Sequence, residues 1–484
     1  MTQSQGRGRF GRGSMPPGDL ADRPLCIGVV PALDGSGGGI YQYSATMLEG
    51  LLDIQPQPRL VLFAERRYWQ RAEVWRTRGY EIASIWPRTV TWRVRGRLRA
   101  WARRAGAIST VAKATESIRS VLPGHAAEVR ENLQVRALSG AVGRWIRRFE
   151  VDFLLFPAPS SIGFESGVPY VMAVHDLQHR LHPEFPEVSA NGEWESREYL
   201  FRNGIANALT VLVDSEIGRE DVLNLYGDSV TSERTRVLPF LPAPYLDSIP
   251  DASSAEAVRE RFDLPQRYLF FPAQFWPHKN HVRVVQALAR IRSERAVDVH
   301  VVMCGSASDP LRASILAEVC RTAAAEGVED LVHILGYVED DLMAPLYAAS
   351  HGVLLPTFFG PTNIPILEAW RLGRPVLSSD LRGIREQCGD AAVLVDPMSI
   401  ESMADGIHSL WSDARLRSEL VAAGTRRLAL YGHHEYNAQL AELIQDAGRR
   451  VRGSASGVIE PSPGGIGASS GTADPVGSPD AERI

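Results

Sequence analysis

Residues 352–370 read Gly-Val-Leu-Leu-Pro-Thr-Phe-Phe-Gly-Pro-Thr-Asn-Ile-Pro-Ile-Leu-Glu-Ala-Trp. The apolar run Gly352–Leu355 has the length and composition of a buried strand. Asn363 is a favourable N-cap and Pro365 suits a first helical turn, so we expect a helix to start here with unpaired backbone N–H groups at its end. The stretch therefore predicts a strand, a loop and a helix in succession.

The same alternation of apolar runs with amphipathic stretches extends along most of the chain, as in parallel strands joined by helices. Six runs in the second half are Tyr268–Ala273, Val299–Cys304, Val332–Leu335, Gly352–Leu355, Pro375–Ser378 and Ala392–Val395. Six in the first half are Leu25–Leu33, Arg59–Phe63, Phe153–Pro157, Tyr170–His175, Leu209–Asp214 and Arg236–Pro239. We predict an α/β protein of two doubly wound, Rossmann-like domains that face a cleft.

The domain boundaries follow from changes in composition. We place the N-terminal domain at residues 23–248, with a basic helical insert at 86–150, and the second domain at 249–430. The Pro-, Ser- and Asp-rich segment Leu241–Ser254 is the expected linker. A C-terminal helix is expected over 431–450 and could return to the N-terminal domain.

Both ends of the chain are low in complexity. Residues 1–22 carry a Gly- and Arg-rich run, and Gly, Ser and Pro make up 17 of the 34 residues from 451 to 484. Such segments bury too little apolar surface to offset the entropy lost on ordering, so we predict two disordered tails. The Arg-Gly run could contact RNA, but it holds few arginines and a solvated tail is the favoured interpretation.

The composition excludes several classes of protein. The chain has 484 residues, 44% hydrophobic and 23% charged, which rules out disorder throughout. Its four cysteines lie far apart without a Cys-x-x-Cys pair, which argues against a disulfide framework or structural zinc and fits a reducing cytoplasm. Neither a run of the ~20 apolar residues that cross a bilayer nor a standard secretion signal is evident. We expect a cytoplasmic protein that could associate peripherally with the inner face of the membrane.

The segment 86–150 is strongly basic, with thirteen Arg and one Lys against four Glu, in a chain whose net charge is −5. Its apolar residues Val94, Leu98, Trp101, Ala105 and Ile108 recur at helical spacing among the arginines. This basic amphipathic helix could lie on an anionic membrane surface, or its apolar stripe could cover the first-domain core. Nucleic acid is not an expected partner, because aromatic stacking residues are not interleaved with charge throughout the protein.

Lys279 is one of only two lysines beside fifty arginines. It lies in the loop Phe271–His281, after the first apolar run of the second domain, at the start of the next predicted helix. A cation is unfavourable at that end of a helix unless an anion compensates it. We therefore expect Lys279 to neutralise a diphosphate, and the alternative is a lysine that simply faces water.

The helix start at Asn363 and Ile364 is a second candidate phosphate site, since free N–H groups and the macrodipole attract anions. Glu368, one turn further, could accept hydrogen bonds from two adjacent hydroxyls of a ribose. The alternative is that Glu368 only stabilises the helix start.

Together these two segments resemble the donor-binding half of the family-4 retaining glycosyltransferases, which have the GT-B fold. Members commonly carry Gly-Arg-x-x-x-x-Lys-Asn after the first strand of this domain. Lys279 and Asn280 match that pattern, whereas Ala273 and Gln274 stand where Gly and Arg are usual.

The second family motif is Glu-x7-Glu. Glu368 matches its second glutamate, and Gly360 stands in place of the first. In relatives the first glutamate contacts the transferred sugar, so its loss bears on sugar identity and efficiency. The segments 274–280 and 360–365 are similar to a branch of the family, many of whose members transfer mannose or related hexoses in polysaccharide synthesis. The resemblance covers nearly all of the second domain.

The glycine loop Asp34–Tyr43 lies between the first strand and its helix, where glycines let backbone approach a ligand closely. A dinucleotide fingerprint is incomplete, because Ile40 stands where its third glycine belongs. Gly38 and Gly39 match the Gly-Gly loop of the family better, and a plain tight turn is the alternative.

His175 ends an apolar strand and is expected to face the cleft, where it could hydrogen-bond the transferred sugar or steady developing charge. Its pairing with Asp176 along the chain also resembles the family. His179 and His182 follow closely, but a metal site is not favoured without a Cys cluster or a His-Glu-x-x-His motif. A buried structural histidine is the remaining alternative.

The resemblance implies transfer of a hexose from a nucleotide diphosphate sugar to a hydroxyl of a glycan or lipid-linked acceptor, with retention of anomeric configuration. It implies no cofactor beyond that co-substrate, for which GDP-mannose is the first guess. The sequence has no Asp-x-Asp triplet to hold a divalent metal, so metal independence is expected. We assign no protein nucleophile, and the resemblance suggests that a donor phosphate oxygen takes the acceptor's proton.

The expected catalytic residues are His175, Lys279 and Glu368. The expected donor-binding residues are Gly38, Gly39, Gln274, Lys279, Asn280, Thr362, Asn363, Ile364 and Glu368. One rival interpretation is a catalytically idle relative that binds sugar or nucleotide, which the changes at Gly360, Ala273 and Gln274 motivate. Another is a sugar-nucleotide epimerase or a phosphorylase on the same fold, although a phosphorylase should show a pyridoxal-phosphate lysine.

Overall fold

The apolar runs of the sequence form the strands of two sheets. The computed structural model of the protein describes residues 23–35, 38–86, 140–246 and 250–456. In these ranges the strands are β1 Cys26–Val29, β2 Arg59–Ala64, β3 Glu81–Ser84, β4 Phe153–Phe156, β5 Tyr170–Ala173, β6 Thr210–Val213, β7 Thr235–Val237, β8 Leu269–Pro272, β9 Val301–Cys304, β10 Val332–Gly336, β11 Gly352–Leu355, β12 Val376–Ser379 and β13 Val393–Val395.

Both sheets are parallel. The first has the order β3-β2-β1-β4-β5-β6-β7 and the second the order β10-β9-β8-β11-β12-β13. Most strands are buried along their whole length, because helices cover both faces of a doubly wound sheet, and this explains why the sequence shows unbroken apolar runs. The predicted α/β fold with two Rossmann-like domains is confirmed.

Helices connect the strands. They are α1 Gly39–Leu52, α2 Trp69–Thr77, α3 Ile162–Ser166, α4 Gln178–Leu181, α5 Pro186–Ser189, α6 Glu193–Asn207, α7 Glu216–Tyr226, α8 Ala252–Phe262, α9 His281–Arg295, α10 Pro310–Glu326, α11 Asp340–Ala349, α12 Ile364–Arg371, α13 Arg382–Cys388, α14 Ile400–Ser412, α15 Ala414–Leu428 and α16 His433–Ser456. A helical stretch also covers residues 140–146. None of the described helices is long and apolar enough to cross a lipid bilayer.

Three details differ from the sequence-based expectations. Strand β3 was not predicted, because it lies at the sheet edge and only its two central residues are buried. The first strand ends at Val29 rather than Leu33, close to Pro31, which has no N–H to donate to a ladder. The expected linker ends in a helix, because the Asp251 side chain accepts a hydrogen bond from the Ser254 N–H at 2.8 Å and caps α8.

Several expectations fall on residues outside the described ranges. These are the N-terminal tail, the C-terminal tail from residue 457 and the basic helix at 94–108. The C-terminal tail was predicted from residue 451, but residues 451–456 belong to α16. At the end of the basic segment, Val142 and Ile146 are buried in the first-domain core.

Helix α16 packs against the first domain although it follows the second domain in sequence. Its apolar side chains Tyr436, Leu440 and Ile444 are buried in the same cluster as Met47 and Leu51 of α1. Polar contacts extend the packing, and the Asn437 side chain donates to the Asp53 carboxylate at 2.8 Å.

The strand order of each sheet reverses direction at one place, between β1 and β4 in the first and between β8 and β11 in the second. Loops leaving the carboxyl ends of strands on either side of such a reversal diverge and leave a crevice between them. The glycine loop follows β1, and the loops containing Lys279 and Asn363 follow β8 and β11. The topology thus directs three of the sequence-predicted loops toward one cleft.

Candidate active site

The cleft between the two domains contains a cavity of about 330 Å³. The first domain contributes the glycine loop, His175 and Asp214, and the second contributes the loops that follow β8 and β11. Of the residues proposed from the sequence, Gly38, Gly39, His175, Gln274, Lys279, Thr362, Asn363 and Ile364 line this cavity.

A second cavity of about 150 Å³ adjoins the first and contains Glu368. Seven residues line both cavities and so form a neck between them: Gly38, Gly39, Pro272, Ala273, Gln274, Ile364 and Pro365. The site therefore consists of two chambers, with Lys279 in the larger, Glu368 in the smaller, and the glycine loop and the start of α12 between them.

Lys279 brings a positive charge into the larger chamber. Among the described residues its Nζ has no hydrogen-bond or ion-pair partner, although the carboxylates of Asp176 and Glu187 lie near enough to influence it. Burial lowers the pKa of Lys279 to about 8, against the smaller opposing effect of those carboxylates. A partly desolvated amine without a partner is a strong attractor for a bound anion.

Glu368 is 5% exposed and accepts a hydrogen bond from the Tyr347 hydroxyl at 2.6 Å. Burial raises the pKa of its carboxyl group to about 7, and hydrogen bonds from Tyr347 and Tyr245 counteract part of that rise. Neither tyrosine was proposed from the sequence, because their distance from Glu368 along the chain gives no sign of the contact. The carboxylate has acceptor capacity left for a ligand hydroxyl in the smaller chamber.

His175 lies at the wall of the larger chamber with both ring nitrogens engaged. Nε2 contacts the Pro157 carbonyl oxygen at 2.7 Å, and Nδ1 contacts the Asp214 carboxylate at 3.1 Å. Burial lowers the pKa of His175, but the facing carboxylate and carbonyl outweigh it, and the net direction is upward. A direct hydrogen bond from this ring to a sugar would therefore require one of the two contacts to break.

The two other histidines of the group point elsewhere. His179 is buried beside Glu198 and Tyr226, and His182 contacts Glu184. Within the described ranges, three or more His, Cys, Asp or Glu side chains are nowhere arranged to hold a metal ion.

The start of α12 is confirmed at Ile364, with Asn363 as N-cap and Pro365 in the first turn. The Asn363 side chain makes no capping hydrogen bond, and its backbone is instead held by the Gln387 amide, which accepts from the Asn363 N–H and donates to its carbonyl, both at 2.9 Å. Thr362 Oγ1 and Asn363 Nδ2 are buried without a hydrogen-bond partner among the described residues. Unsatisfied polar atoms beside a cavity indicate that a polar ligand completes them.

Gly360 has a φ of +146°, a conformation that L-residues rarely adopt. A Cβ at this position would lie 3.3 Å from Asn363 Nδ2. The backbone at position 360 thus has a conformation that favours glycine.

Asn280 lies behind the cavity wall. Its side chain is 3% exposed, and Nδ2 donates to the carbonyl oxygens of Pro356 and Pro397, both at 2.9 Å. Asn280 therefore joins the loops that follow β8, β11 and β13, and this places it as a support for the site rather than as part of the cavity surface.

Two side chains that contact residues of the cavity walls were also not proposed from the sequence. Arg312 donates to the Gln274 side-chain oxygen at 2.6 Å, and Glu187 accepts from His278 Nδ1 at 2.6 Å across the cleft. Both contacts join residues more than thirty positions apart, so no local sequence pattern could have indicated them.

Known proteins resemble this chain in sequence and in fold. Residues 266–413 match the family described as Glycosyl transferases group 1. Alpha-D-kanosaminyltransferase of Streptomyces kanamyceticus is 24% identical over 291 residues, which cover 58% of this chain and 72% of the relative. O-antigen chain mannosyltransferase B of Escherichia coli is 23% identical over 259 residues, which cover 52% of this chain and 64% of the relative, just under two thirds.

Among solved structures, Anabaena Alr3699/HepE in complex with UDP and glucose superposes with a TM-score of 0.60 at 16% identity. The superposition covers 87% of this chain and 99% of that one, so the likeness extends over both domains and supports a common fold. Residues 266–413 therefore form a group 1 glycosyltransferase domain, and the chain has the GT-B fold.

Proposed function

We propose that the protein is a retaining, metal-independent glycosyltransferase that moves a hexose from a nucleotide diphosphate sugar to a hydroxyl of a glycan or lipid-linked acceptor. The observation that carries the proposal is the amine of Lys279, a cation in the cavity beside the start of α12 that has no partner among the residues the structure describes. A diphosphate supplies the negative charge that can pair with both the Lys279 amine and the N–H groups at the start of α12.

The two chambers suit the parts of such a donor. The smaller chamber offers the Glu368 carboxylate to ribose hydroxyls, and the neck offers glycine backbone and the N-terminus of α12 to the phosphates. The larger chamber holds the sugar between His175 and the loop at Thr362 and Asn363. The ribose, the diphosphate and the sugar of the donor thus each lie beside groups that can bind them.

In the proposed reaction the bond between the sugar C1 and the diphosphate oxygen breaks, and its electron pair leaves with the diphosphate. Lys279 and the helix start stabilise that developing negative charge. The acceptor hydroxyl attacks C1 from the same face, and its proton passes to the leaving diphosphate. His175, held by the Asp214 carboxylate and the Pro157 carbonyl, supports the site from the first domain without serving as nucleophile.

Mannose, with guanosine diphosphate as carrier, is the proposed sugar donor. The resemblance of segments 274–280 and 360–365 to a mannose-transferring branch supports it, as does the mannosyltransferase among the relatives. A lipid-linked acceptor agrees with the basic segment 86–150, through which the proposed cytoplasmic protein would contact the membrane.

A panel of nucleotide sugars, with and without alkyl glycoside acceptors, tests the proposal by release of nucleoside diphosphate. We expect release with at least one donor, strong dependence on Lys279, and a product whose anomeric configuration by NMR equals that of the donor. Nucleotide binding without release across the whole panel would instead favour the catalytically idle relative, and an inverted product would contradict retention.

A further inference from the structure

Gln274 occupies the neck between the two chambers. It lines both cavities, and its Nε2 lies 3.4 Å from the point where a Cβ on Gly38 would be placed. The Gln274 amide is therefore next to the glycine loop of the opposite domain, where a ligand passing from one chamber to the other must cross.

Arg312, near the start of α10, fixes the orientation of that amide. Its Nη1 donates to Gln274 Oε1 at 2.6 Å. A guanidinium group can only donate hydrogen bonds, so the amide must turn its oxygen toward Arg312 and its NH2 group away from it. The side on which the NH2 group lies is the side of Gly38 and the neck.

Arg312 is itself held on several sides. Its Nε donates to Asp309, the residue that caps α10, and its Nη2 donates to Ser308 Oγ at 3.1 Å. Its guanidinium also lies over the ring of Trp276, 4.9 Å from the centroid, and its side chain is only 12% exposed. An arginine restrained in this way behaves as a rigid support.

We propose that Arg312 is a positioning residue for the donor diphosphate, and that it acts by holding the Gln274 amide with its N–H groups toward the neck. Residue 274 is a neutral glutamine. The positive charge that supports the neck is that of Arg312, which lies on α10. This inference rests on the proposed function, because it takes the ligand that crosses the neck to be a nucleoside diphosphate.

The test is a double-mutant cycle read by binding calorimetry at pH 7.5. The variants are Gln274→Ala, Arg312→Gln and their combination, and the probes are UDP and GDP beside uridine and guanosine, which have no phosphate. Arg321→Gln, at an exposed position of the same helix, is the matched control. Thermal unfolding of every variant checks that the domain is folded, and Arg312→Lys replaces Arg312→Gln if the latter is not.

We expect each single variant to weaken diphosphate binding about tenfold. Nucleoside binding should stay unchanged, and the double variant should bind no more weakly than Gln274→Ala, because Arg312 acts through Gln274. The proposal would be overturned if the losses of affinity in the two single variants added up in the double variant. It would also be overturned if nucleoside and diphosphate lost affinity equally, or if the Arg312 variant bound the diphosphate as tightly as the unmodified protein. If the unmodified protein bound neither UDP nor GDP, the proposed function would fail first and this inference with it.

Discussion

The carboxylate of Glu187 in the first domain accepts a hydrogen bond from Nδ1 of His278 in the second domain at 2.6 Å. The same oxygen also accepts from the backbone N–H of His278 at 3.3 Å. His278 directly precedes Lys279, so a residue of one domain helps to hold the loop that presents the lysine of the other. The position of the proposed leaving-group cation thus depends on this contact between the domains.

Replacing Glu187 with Ala should lower the free energy of unfolding by about 1–3 kcal/mol at pH 7.5, because it removes a partly buried charged acceptor. Burial alone would raise the pKa of Glu187, but the hydrogen bond from His278 lowers it overall. When folding lowers the pKa of a carboxyl group, the folded state gains stability that is fully present above the unfolded-state pKa of about 4.5. This stability is lost as pH falls through the folded-state pKa. The difference in Tm from the unmodified protein should therefore narrow below about pH 4.5.

Glu184→Ala is the matched control for that measurement, since Glu184 lies on the same segment, is 61% exposed and also contacts a histidine. It should change stability by less than about 0.5 kcal/mol. Equal effects of the two substitutions would show that the cross-domain contact contributes no more than a surface pair.

The affinity of the free protein for a nucleoside diphosphate should fall as pH rises above about 8. Burial lowers the pKa of Lys279 to about 8, and only the protonated amine attracts the anion. The dissociation constant of UDP or GDP should rise between pH 8 and 9.5 by at most about tenfold per pH unit, the limit for loss of one proton, as calorimetry would measure. Lys279→Arg should abolish this dependence, because guanidinium stays protonated. A dependence that persists in Lys279→Arg would assign the titration to another group.

Discrimination between ribose and 2′-deoxyribose should increase as pH rises through about 7. Burial raises the pKa of Glu368 to about 7, and the ionised carboxylate accepts the ribose hydroxyl better than the neutral acid. The ratio of dissociation constants for 2′-deoxy-GDP and GDP, or for the uridine pair, should grow up to about tenfold from pH 6 to 8.

Two substitutions separate the causes of that pH dependence. Glu368→Gln should make the ratio of the dissociation constants for 2′-deoxy-GDP and GDP independent of pH. Tyr347→Phe removes a hydrogen bond that lowers the pKa of Glu368, so the midpoint should move above 7. A ratio that is flat with pH in the unmodified protein would place the ribose elsewhere.

A glutamate at position 360, as in the motif that the sequence resembles, should destabilise the protein. The φ of +146° at Gly360 is strained for any residue with a Cβ, at a cost of about 1–3 kcal/mol. Gly360→Glu and Gly360→Ala should lower the Tm by similar amounts, because they share this backbone cost. A Tm of Gly360→Glu equal to that of the unmodified protein would show that the loop accommodates the glutamate without strain.

The sequence allowed the fold to be predicted because its decisive signals are local. Buried strands such as Val301–Cys304 are continuous apolar runs, and the helix start at Ile364 is marked by its neighbours Asn363 and Pro365. The strand that escaped prediction, Glu81–Ser84, is short and half polar because one side of it has no neighbouring strand.

Reasoning from the sequence identified some residues of the site and missed others. Lys279 was noticeable because lysine is rare in this chain, and the structure places it in the cavity. Asn280 was proposed beside it, but its left-handed backbone and its two carbonyl contacts turn it away from the cavity. Arg312 and Glu187 contribute through tertiary contacts alone, and no periodicity in the chain could indicate them.

The return of α16 to the first domain means that the polypeptide passes between the domains twice, once between Leu241 and Leu246 and again near residue 430. It also makes the first domain dependent on the end of the chain. A protein that stops at residue 430 would leave the apolar surface of α1 uncovered and lose the side chains of Tyr436, Leu440 and Ile444 from its core.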